Sequence, residues 1–447
     1  MPIQRNELSP TKKNLIKTLR KNVLRRNDSV LSLAVLCCES ESGAIAIDAQ
    51  WGEGKTFFVK QTKLLLDAYN PNSPNSELSG KERNDIKNIF RLKEGTLVLA
   101  SQPVLSVYYD AWKYDNDGDP VLSLIYEIAI AMGNEKALTK TETALGKAFL
   151  AAVKSFAKID LVGIAESRRT KDILEGIVSK RKRDSIIRDF LRACLPENGN
   201  RLVVFVDELD RCNPAFAVSL LERVKHYFNE LDVFFVFAIN SAELQHTINR
   251  FYGDKFDSTK YLNRFFLLKC SLPPVERFNY IQSEFGRATQ LVDLVFYRFS
   301  EEYGLSLRDV GRLCSSLNGI KKYIDDSQTL VRDSLGVQFL QKTMLPIMVG
   351  LQLYNREAYE AFISGNDGSA YSTILMHSDF LPLLKAFRKD RKELTEKEIL
   401  DLIYDTIFKT KNIKKEKRLL IAGYEFNSGM KVTMLEQVSQ LKDPWKR

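Results

Sequence analysis

One segment limits the folds open to this chain more than any other. Gly43 to Asp48 (GAIAID) reads as a short apolar strand, Ala49 to Thr56 (AQWGEGKT) as a glycine turn, and Lys55 to about Ala68 as a helix. The octapeptide matches the phosphate-binding pattern G-x-x-x-x-G-K-[ST], except that Ala49 stands at the first glycine. Each position in that pattern has a physical task. Main-chain N–H groups of the turn and the helix N-terminus point at a β-phosphate, and Gly54 lets the backbone come close. Lys55 would reach the β and γ oxygens, and Thr56 would hold Mg²⁺. Ala49, Gln50, Trp51, Gly52, Glu53, Gly54, Lys55 and Thr56 are therefore the candidate nucleotide-binding residues. A small residue at position 49 still fits where φ is negative. The tripeptide G-K-T alone arises by chance; the strand before it and the helix after it give it weight.

A second segment supplies the acids that such a loop needs. In RLVVFVDELDRCNP, Arg201 to Pro214, an apolar strand ends in Asp207 and Glu208. Ligands of α/β sheets bind beyond the carboxyl ends of the strands, where these two would meet a nucleotide. Asp207 is the candidate metal residue with Thr56, and Glu208 the candidate catalytic carboxylate that polarises water. Seen alone, an acidic pair after a strand is a helix cap. Asn213–Pro214 then starts a helix, because Asn caps and Pro suits the first helical position.

The remaining pattern sets the architecture. Strands are also expected at Leu105–Trp112, Val233–Ile239 and Phe265–Cys270, with helices at 11–26, 29–38, 120–132 and 241–251. Gly95 to Tyr109 is the longest uncharged stretch and reads as strand and loop, and Asn70 to Arg83 as an exposed loop. Beyond Pro273–Pro274 everything reads helical. Strands alternating with helices imply an α/β parallel sheet, followed by an all-α region. The expected boundaries are 1–272 for the nucleotide domain, with a helical insertion at 133–200, then 273–325 and 326–447.

Composition narrows the class. With 447 residues, 44% hydrophobic and 28% charged, the chain has material for a buried core, and rod, collagen and wholesale disorder are excluded. Six cysteines without a C-x-x-C pair and three isolated histidines argue for reduced thiols and against a zinc site. The N-terminus lacks a secretory apolar core, and no apolar run approaches the ~18 residues that span a bilayer. A soluble, cytoplasmic protein with no membrane role is expected. The net charge of +9 permits an anionic partner without choosing one.

Taken together, WGEGKT (Trp51–Thr56), YDAWKYD (Tyr109–Asp115), DELDRCNP (Asp207–Pro214) and YLNRFF (Tyr261–Phe266) resemble the KAP P-loop NTPases, of the additional-strand branch related to AAA+ and STAND proteins. The similarity covers roughly residues 15–320, including a long insertion between the two nucleotide motifs. The membrane helices that many relatives carry in that insertion are absent from this sequence. The resemblance implies a parallel sheet with an additional strand, a helical lid, and Mg²⁺-dependent ATP hydrolysis used for conformational or assembly control. It also implies self-association, partner proteins encoded nearby, and a place in prokaryotic anti-phage defence.

Further roles follow only from that resemblance. Asn240, closing VFFVFAIN, matches the polar sensor of the γ-phosphate, although a residue there also caps a helix. Arg264 in YLNRFF matches an arginine offered to a neighbouring subunit's nucleotide; an ordinary surface ion pair is the plainer reading. Arg308 in LSLRDVGRL matches the lid arginine, with Ser306–Leu307 in place of the family's Asn-Pro. Trp112 reads as a packing residue beneath the nucleotide domain, and Asp110 as within reach of the metal shell. The basic segments at the N-terminal helix, 168–171, 180–183, 388–392 and 409–418 read as solvated helix faces. Together they leave a nucleic-acid partner open. A nucleotide-dependent scaffold with little turnover and a nucleic-acid-dependent motor or clamp are the alternatives to an ATPase.

Overall fold

The apolar runs pair into one sheet whose carboxyl ends all face the same way. The computed structural model describes residues 9–40, 42–73, 78–116, 119–131, 201–228, 233–285, 290–325, 334–409 and 418–442, with residues 151, 185, 187, 189, 190 and 199. The expected insertion at 133–200 lies almost wholly outside the described residues. So do the basic runs 168–171 and 180–183 and nearly all of 409–418. Contacts divide the chain into two units, Ser9–Val275 and Glu276–Arg447.

In the first unit, β1 (Gly43–Asp48), β2 (Leu105–Asp110), β3 (Leu202–Asp207), β4 (Val233–Ile239) and β5 (Leu268–Ser271) lie in the order β2-β3-β4-β1-β5. Every pairing is parallel, with Asp110 opposite Asp207, Asp207 opposite Ala238, and Asp48 opposite Ile239. β4 is the additional strand, inserted between the loop strand β1 and the acid strand β3. β3 and β4 are buried throughout, as strands covered on both faces must be, and so they read as unbroken apolar runs.

Their side chains alternate between two cores. Leu202, Val204, Val206, Phe235 and Phe237 face one core, which also takes in the helices Pro120–Ala131, Pro214–Phe228 and Ser241–Tyr252. Val203, Phe205, Phe234 and Val236 face the other, under α1 (Lys12–Lys21), α2 (Asn27–Glu39) and α3 (Lys55–Tyr69).

Several expected boundaries move. The N-terminal helix stops at Lys21, because Asn22 takes a left-handed φ of 45° and Arg25 one of 51°. Gly95–Ser101 is a helix rather than strand or loop, its Leu99 buried. The 70–83 segment is not wholly an exposed loop: Asn70 is fully buried and donates to Val104 O at 2.9 Å, and a helix begins at Gly80 behind a Ser79–Glu82 capping box.

In the second unit a single core runs from Ile281 to Val438, so segments 273–325 and 326–447 contribute to one packed body. At its centre Leu335–Tyr354 is buried nearly all round. This unit is not all helical. β6 (Arg418–Ile421) and β7 (Tyr424–Asn427) form an antiparallel hairpin. Leu419, Ile421 and Phe426 supply the buried, alternating face. The turn is Ala422–Gly423, with φ of 48° and 83°, the double positive φ of a tight hairpin. The neighbouring basic run hides this short alternation in the sequence. Among the described residues no helix is long and apolar enough to cross a membrane.

Candidate functional site

The site is assembled at the carboxyl ends of β1, β3 and β4. Gly52 and Gly54 hold φ of 86° and 89°, which a side chain would strain, and Gly54 is the N-cap of α3. The turn therefore delivers its N–H groups at the start of a fifteen-residue helix. Lys55 is 8% exposed and its Nζ donates to Ala49 O at 2.7 Å and Gln50 O at 3.2 Å. Burial lowers its pKa, while the carboxylates of Asp210, Asp207, Glu208 and Asp48 pull the other way. Four carboxylates around one ammonium make Lys55 the positive centre of an acidic rim.

Asp207 is 1% exposed and has three donors. It accepts from the Thr56 side chain, from Tyr108 Oη at 2.9 Å and from Glu208 N at 2.9 Å. Burial raises its pKa, and these donors with Lys55 oppose the rise. Tyr108 carries Lys60 Nζ 4.1 Å from its ring centroid, so the phenol that serves Asp207 is itself held in place. The structure thus brings together the two residues expected to share a metal, Thr56 and Asp207. One hydroxyl and one carboxylate suit Mg²⁺, which keeps waters and phosphate oxygens in its remaining positions. Among the described residues no cluster of three or more His, Cys, Asp or Glu forms a cage of its own.

Glu208 has φ 61°, a left-handed conformation that costs a non-glycine residue of the order of 1 kcal/mol. Burial and the neighbouring Asp207 push its pKa up to about 7, against the pull of Arg211. Arg211 Nε lies 2.6 Å from Glu208 Oε2. Asp210 Oδ2 accepts from Trp51 Nε1, and Asp210 Oδ1 is buried with no hydrogen-bond partner among the described residues.

Trp112 is 54% exposed and does not pack beneath the domain as expected. The 3₁₀ turn after β2 carries it outward, with Tyr114 taking the buried position instead. Asp110 accepts from Lys113 N at 3.3 Å, and Asp115 Oδ1 accepts Asn213 N at 2.7 Å, which stitches the YDAWKYD turn to the DELDRCNP turn.

Asn240 follows β4, between the loop and the acid pair, and is 9% exposed. It is also the N-cap residue of Ser241–Tyr252, but its side chain makes no capping bond. Arg264 is exposed and lies before β5, in a hollow with Gly43, Ala44 and Val233 at the amino ends of the strands. That is the end of the sheet away from the loop. Arg308 is exposed in the first turn of Leu307–Asp325, in the second unit.

The sequence reading missed Arg26. It is 5% exposed, and its guanidinium donates to Glu53 O at 2.9 Å within the loop and to Pro273 O at 2.8 Å after β5. Burial lowers its pKa to about 10, with Glu53 acting against the fall.

The family model for the KAP family P-loop domain matches residues 13–286, more than half of the chain. The chain belongs to the KAP P-loop NTPase family. The match spans β1 to β5, the loop and the acid pair, so this KAP domain and the unit Ser9–Val275 are nearly coextensive. Among curated proteins none matches the chain.

Proposed function

We propose that this KAP chain binds ATP with Mg²⁺ at the Ala49–Thr56 loop and hydrolyses it, with Glu208 activating the water. The observation that carries this reading is the convergence of Lys55, Thr56, Asp207 and Glu208 at the carboxyl ends of β1 and β3. The loop N–H groups and the N-terminus of α3 would receive the phosphates. Lys55 would exchange the carbonyls of Ala49 and Gln50 for phosphate oxygens. Thr56 and Asp207 would hold Mg²⁺, which when bound supplies charge neutralisation between phosphate oxygens. Glu208, titrating near neutrality, suits proton acceptance from water. Asn240, between loop and acids, would orient that water or the γ-phosphate.

Arg264 would act on the nucleotide of a neighbouring copy, since in its own chain it lies at the far end of the sheet, and this supports self-association. For Arg308 the reading as a lid arginine is supported by the family resemblance alone. The use of hydrolysis for conformational or assembly control, and a setting in anti-phage defence with partner proteins, is supported by the family resemblance.

The deciding experiment is phosphate release by purified protein with Mg²⁺ and ATP. Glu208→Gln should abolish turnover, by about a hundredfold or more, while ATP still binds. Lys55→Ala should lose binding. Wild-type protein that binds ATP and releases no phosphate would overturn hydrolysis in favour of a scaffold role.

A further inference from the structure

Arg211 links the catalytic rim to two tryptophans. Besides the ion pair with Glu208 Oε2 at 2.6 Å, its main-chain N donates to Glu208 O at 3.1 Å. Its guanidinium carbon lies 5.7 Å from the ring centroid of Trp51 and 5.4 Å from that of Trp112. The rings come from separate elements, the phosphate loop after β1 and the turn after β2. An exposed Arg–Glu pair three residues apart would be worth little. Here the two side chains are 25% and 20% exposed, and the cation is held by two rings. Glu208 is meanwhile kept in a left-handed backbone conformation that must be held by its surroundings.

We propose that Arg211 is the positioning residue of Glu208: held by Trp51 and Trp112, its guanidinium anchors one carboxylate oxygen and leaves the other to meet the water. This rests on the reading of Glu208 as the water-activating group. A carboxylate has two oxygens and about four acceptor directions, so one anchored oxygen does not disable the other. The anchor removes rotamer freedom from a side chain whose displacement by about 1 Å would cost about a hundredfold in rate. It also gives a common purpose to three motifs, since Trp51, Trp112 and Arg211 come from one each.

Two measurements test this. In kinetics, Arg211→Ala should lower kcat at least about tenfold with KM within about twofold, and Arg211→Lys should recover only part. Adding Arg211→Ala to Glu208→Gln should cause no further loss, because Arg211 acts through Glu208. A raised KM with unchanged kcat, or a further loss in the Glu208→Gln background, overturns the proposal. In fluorescence, the chain has three tryptophans, and Trp445→Phe leaves Trp51 and Trp112 as the emitters. Without nucleotide, Glu208→Gln should then shift their emission in the same direction as Arg211→Ala. An emission that Arg211→Ala leaves unmoved overturns the clamp, because the cation then does not rest on the rings. If wild type shows no turnover, the reading of Glu208 fails, and the emission experiment still decides whether the clamp exists.

Discussion

Asp207 shows what a buried carboxylate needs before it can serve a metal. Three donors converge on it, from Thr56, Tyr108 and Glu208 N, and they work against the rise in pKa that burial imposes. Tyr108 is the donor most easily removed without disturbing the backbone. Tyr108→Phe should cost about 1–2 kcal/mol in urea unfolding and weaken binding of Mg²⁺-ATP, because a buried acceptor is left short of a partner. A phenylalanine variant with wild-type stability and unchanged nucleotide affinity would show that Asp207 does not depend on this bond.

The loop and acid residues were legible in sequence because their spacing is local: a strand, then a fixed pattern, then a helix. Tyr108 fell within an expected strand and Arg211 within a quoted motif, but neither had a role, since Asp207 and the two tryptophans reach them from other strands and turns. Arg26 was invisible for the same reason carried further. It looks like one more charge in a basic run, while its partners lie 27 and 247 residues away.

At the scale of elements, two residues tie the loop to its surroundings. Arg26 joins the entry of α2 to the loop and to the strand exit at Pro273. Its buried charge has two carbonyls as hydrogen-bond partners, so Arg26→Met leaves both acceptors unmet. That variant should lose about 2–4 kcal/mol and bind ATP more weakly, as isothermal titration and chemical unfolding would record. Full ATP affinity in a folded Arg26→Met protein would remove Arg26 from the loop's support.

Asp48 joins three elements: β1, the helix beginning at Ser241, whose N–H it accepts at 2.8 Å, and β5 through Lys269 at 3.1 Å. Burial alone would raise its pKa, but the Ser241 and Lys269 contacts outweigh it and bring the value below the ordinary 3.8. A depressed carboxyl contributes stability that is fully present above its unfolded value, near 3.9, and is lost as pH falls through the folded one. Asp48→Asn should therefore be less stable than wild type at about pH 6, and the two should converge as pH drops below about 4. Unfolding curves separated by the same margin at both pH values would count against this linkage.

At the same scale, the alternation of strands and helices up to residue 270 gave the sheet directly, because β3 and β4 are apolar on both faces. The hairpin β6–β7 was lost because four-residue strands beside a basic run carry too few alternations to stand out. The helix Gly95–Ser101 was lost because an uncharged run beginning with glycine resembles strand as readily as a buried turn of helix.

For the whole molecule, part of the basic surface is spent within the chain. Lys12 pairs with Glu82, Arg20 with Asp85 and Arg388 with Glu396. Arg264 poses the larger question. β1 has six residues, about 20 Å at 3.3 Å each, and Arg264 lies beyond its amino end while Lys55 follows its carboxyl end. An arginine so placed can stabilise phosphoryl transfer only at the site of another copy. Chains carrying Glu208→Gln and chains carrying Arg264→Ala should then each be inactive alone. In a random mixture about a quarter of head-to-tail interfaces would join an intact Glu208 to an intact Arg264. Phosphate release should accordingly return to about a quarter of the wild-type rate. Mixed assemblies, verified by pull-down of one tagged variant with the other, that remain inactive would sink the shared site. Full activity of Arg264→Ala alone would reduce Arg264 to a surface residue whose main-chain carbonyl meets Lys225 at 2.9 Å.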